Sequence, residues 1–391
     1  MESDPDSIGG PADIYLYGLR PLCDCRADRS QGVLRSMGWI PPVPYNQKGS
    51  GSVDHEYHDI ITAMRTLWNG HRVVASLAAF ALSGCATLPG GRTKPHESLP
   101  SESASYYQYS RQPLEGKAES VDQRSGFRIQ RMHLAPPHDS DFRPIRIDFY
   151  RSNRPGQLPV ILISPILAGN DLYIREFASF YAARGLHAVI VYRPKEVFSA
   201  DRDLKDIENH FRESIIQLRQ TVDWLETQDN VDSQQIGSFS ISLGAILTTI
   251  LAAVEPRVRA HVLGLPAGHL CEIIVTSKDK TIRKRRRAYL EKQGWSQEEG
   301  LKQLKASIVS EPMAFAHSID PENILIIVGL FDRVLGLNRS LDLWKAMGRP
   351  RLIVLPTGHY TAYLATPYLK IVTYSFLRRQ LRLNSSSRST R

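Results

Sequence analysis

Ser242, Asp332 and His359 have side chains that could together perform nucleophilic chemistry, and each lies shortly after a run of apolar residues. Those runs span residues 236–239, 324–328 and 352–355. A serine hydroxyl is a weak nucleophile unless an imidazole takes its proton, and a carboxylate can hold that imidazole in the correct tautomer. The sequence therefore contains, in the order Ser, Asp, His, the residue types that acyl transfer requires.

The segment around the serine favours a sharp turn between a strand and a helix. Residues 237–245 read GSFSISLGA, and small residues two positions before and after a nucleophile allow its hydroxyl to project from such a turn. Gly244 fits this pattern, whereas Ser240 stands where glycine is usual. Ser238 and Ser240 are alternative nucleophiles, but either would leave Gly244 outside the turn, so Ser242 is the predicted one.

These segments resemble the motifs of the α/β-hydrolase superfamily, whose triad follows the same chain order. Residues 329–332 match the GxxD loop after the penultimate strand, and residues 358–359 match the Gly-His pair after the last strand. The resemblance covers about residues 127–380. It implies an α/β-hydrolase fold with a mostly parallel, doubly wound sheet, in which Ser242 attacks, His359 takes its proton and Asp332 orients the imidazole.

Attack on a carbonyl carbon creates an oxyanion, which needs preorganised N–H donors. The resemblance implies that one donor is the backbone N–H of Leu243 and that the second lies in the loop 164–169. A Ser-Pro pair replaces the His-Gly pair of the family in that loop, and proline has no N–H to donate. Ile166 is the predicted second donor, with Leu167 as the alternative.

Alternating strand and helix patterns agree with this fold. Residues 127–130 and 145–149 alternate apolar and polar positions, which is typical of half-buried antiparallel strands. Short apolar runs, suited to strands covered on both faces, span residues 160–163, 188–192, 236–239, 260–263, 324–328 and 352–355. Apolar residues spaced by three or four positions predict a helix over 207–225 and another after Thr366.

A long insertion, about residues 272–310, is predicted to form a helical cap over the site that shapes substrate choice. Within it, residues 283–287 read RKRRR. This run is interpreted as a solvated helix face, with contact to anionic lipid or glycan headgroups as the alternative. Nucleic acid is not a predicted partner, because aromatic residues do not interleave with the basic ones.

Residues 64–84 resemble a bacterial lipoprotein signal. Two arginines flank the start of an apolar run, residues 73–82, which is too short to span about 30 Å of hydrocarbon. Residues 82–85 read LSGC and resemble a lipobox, which implies cleavage after residue 84 and lipidation of Cys85. Ala86 at the next position implies an outer-membrane lipoprotein that faces the periplasm.

The 63 residues before this signal conflict with it, because a signal must lie at the N-terminus to be read. Residues 1–63 carry 5 basic and 9 acidic side chains and no sustained apolar period. They are interpreted as an unstructured leader that lies upstream of a true start at Met64, with a genuine unusual leader as the alternative. Residues 85–112, rich in Pro, Gly, Ser and Glu, are predicted to form a flexible tether before a hydrolase domain over 113–391.

The composition is that of a globular protein, with 42% hydrophobic and 23% charged residues among 391, which argues against a disordered or multi-span membrane protein. After residue 84 the chain carries 42 basic and 31 acidic side chains, which allows an anionic partner. Cys271 is the one cysteine after Cys85, so no internal disulfide is expected. His261, His269 and His317 lack the spacing of metal ligands, and neither a metal nor a cofactor is predicted.

The resemblances together imply a lipid-anchored serine hydrolase, and the first expectation is a carboxylic-ester hydrolase that acts on a small-molecule ester. A peptidase or thioesterase of the same fold is an alternative, because one triad serves all three reactions. A catalytically inactive binding lipoprotein is another, favoured by Ser240 and by the missing His-Gly pair.

Overall fold

The computed structural model describes parts of the expected tether and most of the expected hydrolase domain. The described residues are 86–88, 97–137, 139, 142–167, 172–193 and 202–386. The expected leader, the expected signal and Cys85, the predicted lipidation residue, lie outside them. Within the described part of the chain, no helix combines the length and the apolar character needed to cross a bilayer.

The strands of the described residues form one sheet. They are β1 (Ala86–Leu88), β2 (Glu115–Arg124), β3 (Phe127–Ala135), β4 (Ile145–Ser152), β5 (Leu158–Ser164), β6 (His187–Val191), β7 (Val231–Ile241), β8 (Val258–Gly264), β9 (Ile324–Gly329) and β10 (Arg351–Leu355). Their order is β1-β10-β9-β8-β7-β5-β6-β4-β3-β2. Strands β5 to β10 pair in parallel, whereas β2, β3 and β4 are antiparallel additions. The predicted mostly parallel, doubly wound sheet is confirmed.

Helices cover both faces of the sheet. In the described residues they are α1 (Ser101–Tyr106), α2 (Leu172–Ala182), α3 (Leu204–Leu225), α4 (Leu243–Val254), α5 (Leu270–Thr276), α6 (Lys280–Gln293), α7 (Gln297–Ser307), α8 (Pro312–Phe315), α9 (Leu337–Ala346) and α10 (Thr366–Ser386). Side chains alternate along β5, so that Val160 and Leu162 pack with α3 and α4, whereas Ile161 and Ile163 pack with α2 and α10. Burial on both faces explains why these strands read as continuous apolar runs.

The predicted helix over 207–225 is present and begins slightly earlier, at Leu204. The Asp203 carboxylate accepts a hydrogen bond from the backbone N–H of Asp206 at 2.7 Å, so it caps the first turn. The buried face of α3 carries Phe211, Ile215 and Leu218. The predicted insertion is helical as well, since it contains most of α5 and all of α6 and α7, and α7 packs on α3 and α5.

Residues 97–112 differ from the flexible tether expected there, because they pack on the body of the domain. Tyr107 is fully buried, with its ring edge on Phe315 at 5.7 Å between centroids. Tyr109 Oη donates to Asp223 at 2.7 Å, and Arg111 also pairs with that carboxylate. The segment reads as a tether by its Pro, Ser and Glu content, but Tyr107 buries its ring, and the hydroxyls of Tyr106 and Tyr109 donate to carboxylates on α3.

Two edge strands were also absent from the predicted set. Strand β2 exposes most of its side chains and shows no clear alternation, so its backbone pairing with β3 is what defines it. Strand β1 lies within the expected tether and pairs antiparallel with β10, with Ala86 opposite Val354 and Leu88 opposite Leu352. Both elements depend on backbone hydrogen bonds to a neighbouring strand.

The buried carboxylate of Glu208 joins three parts of the domain: α3, the end of α1 and the end of the insertion. It accepts hydrogen bonds from Tyr106 Oη at 2.9 Å, from Ser310 Oγ at 2.7 Å and from the backbone N–H groups of Val309 and Ser310 at 3.1 Å each. Burial raises the pKa of Glu208 above its ordinary value, although these donors favour the charged form.

We expect Glu208→Gln to lower the free energy of unfolding by about 1–3 kcal/mol, because a carboxamide cannot accept from all four donors. Urea denaturation followed by circular dichroism measures the change. Glu102→Gln is the matched control, since Glu102 is exposed on α1 and should unfold at the wild-type midpoint. Equal midpoints for the two variants would contradict this account of Glu208.

Candidate active site

Ser242 lies in a strained turn between β7 and α4. Its φ of 56° and ψ of −125° place a residue with a side chain in the region that favours glycine. Such a conformation costs about 1–3 kcal/mol and persists only where neighbouring structure enforces it. Here the Ser242 N–H donates to the Gly264 carbonyl oxygen at 2.9 Å, and the first turn of α4 continues from the serine.

Close packing of this turn against the loop after β5 explains the need for glycine at 244. A Cβ atom on Gly244 would overlap the carbonyl oxygen of Ser164 and lie 2.8 Å from that of Pro165. Both of those atoms belong to backbone that cannot move aside like a flexible side chain. Gly244 therefore allows the loop that carries Ile166 to approach the turn that carries Ser242 and Leu243.

The serine that replaces the first glycine of the turn is accommodated by a polar contact. Ser240 is fully buried, with its Oγ 2.7 Å from Thr248 Oγ1, and it accepts a hydrogen bond from the Ser164 N–H at 3.4 Å. Its hydroxyl is thus held within the interior, away from His359. The departure from the family pattern leaves the turn intact.

Ser238 also meets a histidine, but in the interior of the sheet. It is the register partner of His261 on β8, and its Oγ lies 2.8 Å from His261 Nδ1. Both residues are buried, and burial lowers the pKa of His261 to about 4. This buried pair is inaccessible to a substrate. Of the three serines, Ser242 is therefore the one whose hydroxyl contacts a histidine at the end of the sheet.

The structure brings Ser242, His359 and Asp332 into one hydrogen-bonded chain. Ser242 Oγ lies 3.0 Å from His359 Nε2, and His359 Nδ1 lies 2.8 Å from Asp332 Oδ2. The second carboxylate oxygen, Oδ1, accepts the backbone N–H groups of Val334 at 2.8 Å and Leu335 at 3.1 Å. The carboxylate is thereby fixed at both oxygens, so it can hold the imidazole in one orientation.

Asp332 is set to remain charged. Burial opposes its ionisation, but hydrogen bonds from His359 and from the backbone of Leu335 and Val334 outweigh this effect and hold its pKa below the ordinary value. A charged Asp332 favours the tautomer in which Nδ1 carries the proton and Nε2 is free to accept one. The arrangement can therefore remove a proton from the Ser242 hydroxyl.

Backbone contacts between two loops position the acid and the base. The N–H of Leu330 donates to the Leu355 carbonyl at 2.8 Å, and that of Phe331 donates to the Thr357 carbonyl at 3.0 Å. A Cβ on Gly329 would lie 2.8 Å from the Thr357 carbonyl oxygen, so glycine is needed for this approach. Because β9 and β10 are parallel, Asp332 and His359 both lie at the carboxyl ends of these strands.

The predicted oxyanion donors belong to the two segments that meet at Gly244. Leu243 is the first residue of α4, so its N–H has no partner within the helix. Ile166 lies in the loop that packs on Gly244, and Arg193 Nη2 donates to its carbonyl oxygen at 2.7 Å. Arg193 is not among the predicted site residues. The feature of the sequence that could have indicated it is a basic residue just after the apolar run that forms β6.

Cys271, the one cysteine of the predicted hydrolase domain, is unsuited to nucleophilic chemistry. It is buried, and burial raises the pKa of its thiol to about 12, so the reactive thiolate is scarce at neutral pH. Among the residues that the structure describes, no group of three or more His, Cys, Asp or Glu side chains is placed to hold a metal ion.

Solved structures with a similar fold include two acetyl xylan esterases. One, from Paenibacillus sp. R4, superposes with a TM-score of 0.58 over 73% of this chain and 97% of its own, at 15% identity. The other, acetyl xylan esterase 1 from Thermoanaerobacterium sp. JW/SL YS485, has a TM-score of 0.50 over 73% and 92%, at 17% identity. The chain has the α/β-hydrolase fold.

Sequence comparison adds little to this structural likeness. No family model matches the chain. Curated relatives include an uncharacterized protein found in two strains of Mycobacterium tuberculosis, 20% identical over 180 residues, which is 46% of this chain. The matched region spans about two fifths (41%) of the length of those relatives.

We expect Gly244→Ala to lower the free energy of unfolding by about 1–3 kcal/mol, because the new methyl group displaces backbone in a close-packed contact. Displacement of Ser242 and Leu243 should also reduce covalent labelling by a fluorophosphonate probe. Thermal unfolding and probe labelling measure the two effects.

Gly156→Ala is the control for this substitution. Gly156 has a φ of 85°, and no atom beyond the two adjacent residues lies within 4 Å of the position that an alanine methyl group would take, so alanine there is strained but meets no other part of the chain. It should cost about 1 kcal/mol of stability and leave labelling unchanged. Wild-type stability and labelling in Gly244→Ala would refute the proposed close approach.

Proposed function

We propose that this protein is a serine hydrolase that cleaves carboxylic esters of small molecules through an acyl-enzyme. The observation that carries the proposal is the hydrogen-bonded chain from Ser242 Oγ through His359 to Asp332, located at a strained turn of an α/β-hydrolase fold. That combination of a projecting hydroxyl, a base and an orienting acid is what acyl transfer by serine requires.

The first half of the reaction acylates the enzyme. His359 Nε2 takes the hydroxyl proton as Ser242 Oγ bonds to the ester carbonyl carbon, and Asp332 stabilises the resulting imidazolium. The N–H groups of Leu243 and Ile166 stabilise the oxyanion of the tetrahedral intermediate, and each such donor contributes about 3–4 kcal/mol. Collapse of the intermediate breaks the bond to the alcohol, which leaves with the proton from His359.

The second half regenerates the enzyme by the same groups. His359 takes a proton from water as its oxygen attacks the acyl carbon, and a second oxyanion forms in the same place. When this intermediate collapses, Ser242 Oγ leaves and recovers a proton from His359. The acid is released and the starting state of the three residues is restored.

One further observation supports an ester as the substrate, and two support an active enzyme over an inactive binding protein. The structural neighbours reported above are named as esterases, although at 15–17% identity this likeness concerns the fold. The turn is intact despite Ser240, and the loop with the Ser-Pro replacement packs against Gly244. An inactive binding protein would not need to keep the strained conformation of Ser242, which costs stability.

We expect Ser242→Ala to abolish labelling by a fluorophosphonate probe and to lower ester turnover by about four orders of magnitude or more, because the attacking oxygen is removed. His359→Ala and Asp332→Asn should each lower turnover by orders of magnitude through loss of the base and of its correct tautomer. The measurements are gel-based labelling and hydrolysis of p-nitrophenyl esters of graded acyl length.

Ser238→Ala is the matched control, since it removes a neighbouring serine hydroxyl that contacts the buried His261 instead of His359. It should keep both labelling and turnover. Labelling that persists in Ser242→Ala would refute the proposed nucleophile. A wild-type protein that takes up no label and hydrolyses no ester would favour the inactive binding protein.

We further propose that the protein is anchored by lipid at Cys85 in the cell envelope, at the outer membrane facing the periplasm. The support is the resemblance of residues 64–85 to a lipoprotein signal and lipobox. Several acyl chains give stable attachment, because each buried methylene contributes about 0.8 kcal/mol and one chain alone is marginal.

We expect the protein to incorporate labelled palmitate in a Gram-negative host and Cys85→Ser to lose that label. Cys271→Ser, which changes the buried cysteine, should keep it. Mass spectrometry of the membrane fraction should find the mature N-terminus at Cys85. Recovery of a stable protein that retains residues 1–63 would contradict both the anchor and the start at Met64.

A further inference from the structure

Large apolar and aromatic side chains are concentrated around Ser242 and His359. Of the nine exposed large hydrophobic residues among those the structure describes, six lie in the loops or helix start that follow β5, β9 and β10. We call these six the site rim: Leu172, Leu330, Phe331, Tyr360, Tyr363 and Leu364. Phe331 is 61% exposed and Leu172 is 50% exposed.

The site rim is continuous with the candidate active site. The Phe331 backbone is hydrogen-bonded to Thr357, two residues before His359, and the Tyr360 ring packs edge-on against the His359 ring at 5.5 Å between centroids. Tyr363 contacts the ring of Tyr173, the neighbour of Leu172, at 5.2 Å. The three segments therefore form one apolar border at the carboxyl ends of the parallel strands, where Ser242 lies.

A strongly basic helix begins beside this border. Asp279, the N-cap of α6, accepts a hydrogen bond from Tyr360 Oη, which places the first turn of α6 next to the site rim. The sequence of α6, KTIRKRRRAYLEKQ, contains seven basic residues and one acidic residue. Arg283, Lys284 and Arg285 lie on the surface of this helix, and no residue of α6 is buried.

Together these features fit an anionic lipid surface. Exposed leucine and phenylalanine gain free energy by leaving water for the acyl boundary of a bilayer, and basic side chains are attracted to anionic headgroups. A soluble polyanion would match the charge of α6 but would leave the site rim in water. On soluble monomeric proteins, large contiguous apolar patches mark sites that bind proteins, ligands or membranes.

We propose that the site rim and α6 form a docking face for an anionic bilayer, and that the enzyme takes its ester substrates from that surface. The second clause rests on the proposed function, whereas the docking face stands on the surface alone. The rim would enter the acyl boundary beside Ser242, with the basic side chains of α6 among the headgroups.

The test is partition of the full-length chain, made in a cell-free system that leaves Cys85 unmodified, onto vesicles followed by sedimentation. Vesicles of phosphatidylcholine with phosphatidylglycerol are compared with phosphatidylcholine alone. The variants are Arg283→Gln with Arg285→Gln, and Leu172→Ser with Leu364→Ser. All proteins share residues 1–96, so differences among them report on the surface of the domain.

We expect the arginine pair to weaken partition onto anionic vesicles by about 25-fold, because each basic side chain near such a surface contributes about fivefold. The apolar pair should weaken partition onto both kinds of vesicle by about tenfold or more. Hydrolysis of soluble p-nitrophenyl acetate should be unchanged in both, whereas hydrolysis of a vesicle-borne ester should fall with partition.

Matched controls carry the same kinds of change elsewhere on the surface. Arg378→Gln with Arg379→Gln removes two exposed charges from α10, and Val121→Ser removes an exposed apolar group from β2. These should partition like the wild type. If the rim and α6 variants also do so, or if dextran sulfate binds α6 while vesicles do not, the docking face is refuted. Wild-type partition without hydrolysis of any ester would refute the proposed function alone.

Discussion

The close approach of two backbone segments, the turn at Ser242–Gly244 and the loop at Ser164–Pro165, is the constraint on which the site depends. It requires a residue without a side chain at 244 and helps to hold Ser242 in a conformation that an isolated chain would leave. Because β5 and β7 are parallel neighbours, the segments that follow them both begin at the carboxyl ends of the strands and can meet there. The nucleophile and the loop that carries Ile166 are thus positioned by one contact.

The same constraint explains why Ser240 can replace the usual glycine. At 244 a side chain would meet carbonyl oxygens, whereas at 240 the side chain reaches the hydroxyl of Thr248 on α4. A small residue that can satisfy its own hydrogen bond inside the protein is therefore tolerated at one position and excluded at the other. The size of the side chain alone does not explain the difference between positions 240 and 244, because the atoms around the two positions differ.

The sequence predicts those parts of the protein whose signal is local. Strands β5 to β10 are buried on both faces, so their apolar runs are visible without knowledge of their partners, and the chemistry follows at their ends. The opposite holds for Tyr107, Glu208 and Arg193. Glu208 meets Tyr106 and Ser310 across about a hundred residues in each direction, and no periodicity indicates such a contact. Residues 97–112 resemble a linker in composition because their few tyrosines are outnumbered by small polar residues.

The register of β1 gives the proposed anchor a direction. Ala86 pairs with Val354 near the end of β10 from which the chain continues to His359, and Leu88 pairs with Leu352 farther from it. Ala86, which directly follows the proposed lipidation site, therefore lies near the carboxyl ends of the parallel strands, where the candidate active site is. An acyl group on the residue before Ala86 would hold the active site close to the bilayer, whereas a long flexible tether would let the domain rotate freely. Encounter with a substrate in the membrane would then become a search in two dimensions, confined to lateral diffusion in the leaflet.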